Sequence, residues 1–282
     1  MSPTSPDLSA PGGRRGVAAQ EIVPSEEMLR LAVELADEAR AFVRPRFRSR
    51  VSVADKSDGT PVTEVDTALE ARLRDRIHAR FPEHGIIGEE GGGQRGDADW
   101  VWVLDPIDGT QSFILGKPTF ASLIGLMHQG RPVLGVIEHP ALGDRWVGAA
   151  GTPTLFNGAP ARVRPCAGVA EAALSTTGPN WFAEDELAAF DRVRRAAKVQ
   201  HWGGDCHAFG LLASGFIDLV IESSHRLHDF CALVPVISGA GGVMTDWAGR
   251  ALGAGSGPRV IAAGDRRAHA EALGLLGESK SW

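Results

Sequence analysis

One stretch constrains this chain more than any other: an apolar run that ends in two acids. Trp100-Val-Trp-Val-Leu leads into Asp105, Asp108 follows, and Gly109-Thr110 then reads as the start of a helix. An apolar run bounded in this way predicts a buried strand. A carboxylate that closes such a strand is carried to the crevice above the sheet. A second carboxylate beside it is repelled unless something positive lies between them. Hard cations such as Mg2+ take oxygen ligands and keep water positions for a substrate. A Gly-Thr pair at a helix start offers backbone N–H groups to a phosphate. Together these features point to metal-assisted phosphate chemistry, in which an ion acidifies water and clamps the attacking and leaving oxygens.

More acids stand at comparable places. Glu89 follows the short strand Ile86-Ile87, Asp229 follows the apolar segment 216–222 after a turn, and Asp66 lies in the first turn of a helix. Taken singly, Asp66 and Asp229 read as helix-capping residues and Glu89-Glu90 as a solvated loop. Asp105 and Asp108 do not, because acids closing an apolar strand are costly without a ligand.

The rest of the chain supplies a frame for these acids. Residues 1–24, rich in Pro, Ser, Gly and Ala, are expected to be a disordered tail. Ser25 is an N-cap for a helix that carries Leu29, Val33, Ala36, Ala39 and Val43 to Pro45. Asp58-Gly59 and Pro61 mark a turn, and Thr63 with Asp66 reads as a capping box. Residues 91–99 are expected to be a mobile loop. Segments 122–127, 133–138 and 145–149 predict an antiparallel meander, and Asn157-Gly158 a turn. Beyond a boundary at 164–170, helices are expected over 184–198, over 205–214 with Asp205 as cap, and from Asp229 to Gly239. Strands are expected over 216–222, 243–246 and 259–263, with a closing helix over 266–276. This divides the chain into a subdomain over 25–165 and another over 166–282.

Composition removes several alternatives. A length of 282 residues fits one large or two small domains. A formal charge of −6 gives no reason to expect nucleic-acid or membrane partners. Cys166, Cys206 and Cys231 fit neither a disulfide framework nor a zinc spacing. Without a membrane-length apolar run or a secretory signal, a cytoplasmic protein is expected.

Four blocks, in order, carry a resemblance: Thr60-Pro-Val-Thr-Glu-Val-Asp66, Gly88-Glu-Glu90, Leu104-Asp-Pro-Ile-Asp-Gly-Thr110, and His228 to Gly242 followed by Trp247. They resemble the signatures of the inositol monophosphatase family, Mg2+-dependent and lithium-sensitive phosphatases, over about residues 25–275. The resemblance implies an α/β (α+β) fold, a five-layer α-β-α-β-α sandwich, usually as a homodimer. It implies two to three Mg2+ ions. Glu89, Asp105 and the Ile107 carbonyl would hold one, Asp105, Asp108 and Asp229 a second, and Glu89 with water near Asp66 a weaker third. Asp66 and Thr110 would activate the attacking water, Gly109 and Thr110 would hold the phosphate, and Glu222 would meet the alcohol part of the substrate.

Within that family, Gly203 to Glu222 is similar to the histidinol-phosphatase branch, which carries Gly-Asp at this place. The physical argument runs the same way, since histidinol carries an ammonium group and inositol is neutral. Asp205 beside Glu222 would favour the cation, each hydrogen bond to a charged group contributing about 1.5–3 kcal/mol. Asp205 could instead cap its helix, or do both. The expected activity is hydrolysis of L-histidinol phosphate, with an inositol-1-phosphate or sugar-phosphate phosphatase as the alternative. A 3'(2'),5'-bisphosphate nucleotidase and a catalytically silent metal-binding regulator are the remoter readings. Gln111 departs from the residues common at its position, and no role is assigned to His207, His225 or His228. Trp181 and Trp202 could form an aromatic wall or belong to the core.

Overall fold

Helix caps and apolar spacing build the outer layer. The computed structural model describes residues 22–57 and 59–277. Most of the expected tail, and Asp58 of the expected turn, lie outside them. Ser25 accepts a hydrogen bond from the Met28 N–H and opens α1 (Glu26–Val43), which ends in a 3-10 turn containing Pro45. The hairpin β1 (Val53–Asp55) and β2 (Pro61–Thr63) follows. The expected capping box of Thr63 and Asp66 then opens α2 (Glu64–Arg80).

Both helices pack on one face of an eight-stranded sheet. Its strands are β3 (Gly85–Gly88), β4 (Gly92–Gln94), β5 (Trp100–Asp108), β6 (Ala121–His128), β7 (Arg131–His139), β8 (Asp144–Ala149), β9 (Leu155–Phe156) and β10 (Ala159–Pro160). They lie in the order β10-β9-β8-β7-β6-β5-β3-β4, with β3 and β5 parallel and every other neighbour antiparallel. The expected meander is β6 to β8. The expected loop 91–99 instead contributes the edge strand β4, paired with β3. Its Gly-rich sequence hides it, because the pairing is made by backbone alone.

The other face of this sheet meets a middle layer of α5 (His207–Ala213), α6 (Leu227–Phe230) and α7 (Leu233–Gly239). A second sheet lies beyond, made of β11 (Ala173–Thr176), β12 (Val199–Trp202), β13 (Leu219–Glu222), β14 (Val243–Asp246) and β15 (Val260–Ala263). Its order is β12-β11-β13-β15-β14. The helices α4 (Glu184–Ala196) and α8 (Arg266–Gly277) cover its far side. The layer order is therefore α-β-α-β-α, as expected.

A row of glycines seats the middle layer on the first sheet. Gly125 of β6 pairs with Gly135 of β7, which pairs with Gly148 of β8. A Cβ on Gly125 would lie 2.7 Å from Cys231 Sγ, and one on Gly148 would lie 2.5 Å from the Pro235 carbonyl oxygen. One on Gly135 would lie 2.6 Å from the Ala232 carbonyl carbon. The segment 231–236 thus rests on bare sheet backbone, and Asp229 just precedes it.

Two sequence expectations are corrected here. Asp205 does not cap a helix: α5 starts at His207, and Asp205 sits before it in the left-handed region at φ 45°. Asp229 is not the N-cap of one long helix. It is the third residue of short α6, accepts a hydrogen bond from the Arg226 N–H, and is followed by a separate α7. Trp181 and Trp202 are not core residues; Trp202 is exposed and lies edge-on to Phe190. The three cysteines are free and buried. Among the described residues no helix is long and apolar enough to cross a membrane.

Candidate active site

The two acids of β5 owe their placement to a bulge. Asp105 pairs with Leu123 and Asp108 with Ala121, so the register shifts between them. Pro106 has no N–H to give to a ladder, and a bulge is where a strand tolerates it. Ser122 Oγ donates to the Pro106 carbonyl and holds the kink. Gly109 then turns the chain at φ 83°, a conformation that disfavours a side chain, into α3 (Thr110–Ile114).

Around this kink the chain gathers its acids. One oxygen each from Asp105, Asp108 and Asp229 lies within 4.8 Å of the others. Glu89, Asp105 and His228 Nε2 or Nδ1 form a second group within the same limit. Asp105 is buried, and its Oδ1 has no hydrogen-bond partner. Desolvation, then the charges of Glu89, Asp108 and Asp229, push Asp105 well above the ordinary carboxylate range. Desolvation, then Asp229, does the same to Asp108. Carboxylates so placed need protons or a cation between them. A buried, unpartnered oxygen among three other carboxylates and one imidazole meets mostly oxygen ligands, which fits a hard divalent ion. His228 is a member that sequence reasoning left without a role, although it adjoins Asp229.

Glu89 is held from two sides. Lys56, beyond β1, donates to Glu89 Oε1 at 2.6 Å and lies 2.7 Å from Glu90 Oε1. Burial alone would lower the Lys56 pKa, but its hydrogen bonds to these two acids outweigh it and raise the value. Behind the turn, buried Glu70 of α2 accepts from the N–H groups of Glu90 and Gly91 at 2.8 Å, and from Arg74 Nε. Glu70 had no signal in the sequence, because an acid on a helix normally faces water.

Asp66 does two things at once. Its Oδ2 accepts from the Thr63 N–H and hydroxyl, completing the cap. Its Oδ1 accepts from Thr110 Oγ1 at 3.2 Å, and that hydroxyl also lies 3.0 Å from the Ile107 carbonyl. Desolvation raises the Asp66 pKa against the hydrogen bonds from Thr63, and the charge of Glu89 adds to the rise. Asp66, Glu89, Asp105, Ile107, Asp108, Gly109, Thr110 and Asp229 thus meet at one end of the first sheet.

The second half of the chain supplies the facing wall. Asp205 Oδ2 accepts from Ser112 Oγ at 2.6 Å and from Thr119 Oγ1. The next N–H, that of Cys206, donates to Asp108 Oδ2 at 3.2 Å. Glu222, at the end of β13, is buried. It accepts from the Thr177 N–H at 2.6 Å, the Thr177 hydroxyl at 3.0 Å and the Thr176 hydroxyl at 3.1 Å. Burial pushes Glu222 up to about 8 against these bonds, and the charge of Asp205 adds to the rise. His207 packs edge-on to buried His139 and feels the charge of Asp205, and Gln111 is exposed.

Comparisons with known proteins bear on the family and the fold. The profile of the inositol monophosphatase family matches residues 25–281. The chain is 45% identical over 257 residues to the chloroplastic bifunctional phosphatase IMPL2 of Arabidopsis thaliana, covering 88% of this chain and 73% of that protein. It is 36% identical over 236 residues to the histidinol-phosphatase of Chlorobaculum parvum, covering 79% and 86%. The solved structure of an inositol monophosphatase from Zymomonas mobilis superposes with a TM-score of 0.83 at 43% identity, covering 90% of this chain and 98% of that one.

Proposed function

The chain belongs to the inositol monophosphatase family of phosphatases, and from that premise we propose that it hydrolyses L-histidinol phosphate. The observation that carries the substrate reading is the pair Asp205 and Glu222: Asp205 precedes the Cys206 N–H that binds Asp108, and its charge reaches Glu222. A cationic alcohol part gains from that pair and a neutral one does not. The name of the Chlorobaculum parvum relative supports this reading.

The residues divide the work. Glu89, Asp105, Asp108, Asp229 and the Ile107 carbonyl would hold two to three Mg2+ ions. When bound, such ions supply positive charge to the phosphoryl oxygens and acidify water near neutral pH. Thr110 Oγ1, fixed between Asp66 and Ile107, orients the attacking water in line with the leaving oxygen. Asp66 takes the proton, and its raised pKa makes it the stronger base. Gly109 and Thr110 hold the phosphate through their N–H groups. Glu222, held by the Thr176 and Thr177 donors, would meet the substrate ammonium, and that opposite charge favours its ionised form. The family expectation of a homodimer stays part of the proposal.

A second reading is an inositol-1-phosphate phosphatase, supported by the 43% identity to the Zymomonas mobilis protein. A silent regulator is opposed by the presence of every acid and of Thr110. The two enzyme readings part in one assay. With Mg2+, phosphate release from histidinol phosphate should far outpace release from inositol 1-phosphate; similar rates or the reverse order would overturn the first reading.

A further inference from the structure

The turn before α5 is bolted to α3 and to the loop that follows it through one carboxylate. Asp205 Oδ2 receives the hydroxyl of Ser112, inside α3, and that of Thr119, just beyond it. Its Cγ lies so close over Gly109 that a Cβ there would come within 3.3 Å. Cys206 extends the clamp, with its N–H on Asp108 and its Sγ at 3.9 Å from the Thr119 carbonyl. Asp205 holds left-handed backbone to do this, a conformation few non-glycine residues adopt. A residue needed only to attract a cation has no reason to adopt that strain, nor to give one oxygen to two hydroxyls. Those hydroxyls orient one oxygen, and Oδ1 remains the oxygen with open acceptor capacity.

We infer that Asp205 is a positioning residue as well as a substrate-reading one. Its bonds to Ser112 and Thr119 set the substrate-facing turn in register with Asp108 and Thr110. The inference rests on the phosphatase reading above, but not on the identity of the ester. It deepens that reading: the residue that would discriminate the substrate also fixes the hydrolytic centre, so a cationic substrate is met by a site already in register.

The test separates the bonds from the charge. D205A removes both. D205N removes the charge but keeps a carbonyl oxygen that can accept both hydroxyls. The S112A/T119V double variant keeps the charge and removes the bonds. The kcat on a neutral ester, inositol 1-phosphate, should fall tenfold or more in D205A and in S112A/T119V, and D205N should recover most of that loss. Titration calorimetry with Mg2+ alone should follow the same order, because the Cys206 N–H steadies Asp108: D205A and S112A/T119V weaken binding severalfold, and D205N weakens it less. Equal kcat and Mg2+ affinity in wild type and S112A/T119V would overturn the inference, as would D205A and D205N being equally impaired on the neutral ester. The cationic-substrate reading fails separately, if D205N raises KM for both esters by the same factor.

Discussion

Replacing Gly135 by alanine tests whether the glycine row sets the position of Asp229. The new Cβ would lie 2.6 Å from the Ala232 carbonyl carbon and 2.8 Å from the Ala232 Cα, and closer still to the carbonyl oxygen. Non-bonded carbons settle at about 3.5–4.0 Å, so the segment leading into α7 must rise by roughly 1 Å. The obstacle is backbone on both sides, between a central strand and a helix start, and no flexible side chain can yield. Overpacking of this kind costs about 1–3 kcal/mol, and about 2–4 °C of Tm goes with each kcal/mol in a protein of this size class. A fall in Tm of roughly 2–12 °C is therefore expected. Asp229 lies three residues before Ala232, and a displacement near 1 Å in a catalytic group can cost about a hundredfold in rate. G135A should thus lose activity well beyond its loss of stability at the assay temperature. G274A is the control, because a Cβ there meets nothing within 4 Å in α8. Scanning calorimetry and phosphate release on the three proteins check this. A G135A protein that melts and turns over like wild type would falsify the account of the glycine row.

Two further outcomes follow from the electrostatics of the site. D108N should nearly abolish turnover and lose the Mg2+-dependent rise in Tm, yet melt no lower than wild type in EDTA, since a neutral amide relieves repulsion among Asp105, Asp108 and Asp229; a D108N protein that still hydrolyses the ester would refute the ligand assignment. Glu222 is raised from 4.5 to about 8, so the native state binds the extra proton in that window. Its stabilisation is complete below the lower value and is lost as pH rises through the upper one. The stability of wild type relative to E222Q, read from urea midpoints, should therefore fall between about pH 4.5 and pH 8; a difference that is flat or rises with pH would contradict the burial argument.

The layers were largely legible in the sequence because helical spacing, caps and strand alternation are local signals. The capping box at Thr63 and the meander from Ser122 to Ala149 needed no partner to be recognised. The acids were legible because carboxylates at the end of an apolar strand contradict its pattern. What escaped depends on register. Gly125, Gly135 and Gly148 each look like a weak point in a strand, and only their pairing reveals a seat for the middle layer. Asp205 has the composition of a cap, and only the approach of Ser112 and Thr119 from the other half of the chain turns it into a clamp. Glu70 and Lys56 were invisible for the same reason, since the turn and the acids they hold lie far along the sequence.

The unpartnered oxygen of Asp105 bears on how the chain reaches this state. Its neighbours come from Glu89, from Asp108 in the same strand, and from Asp229, in a helix from the second half of the chain that packs on β5 and β6. Until α6 is seated on the first sheet no ion finds its full set of donors, so the ion favours the finished structure over one without that helix in place. Contacts of such long sequence separation form late in folding. Ion binding would then act chiefly by slowing unfolding, with little effect on the rate at which either half folds.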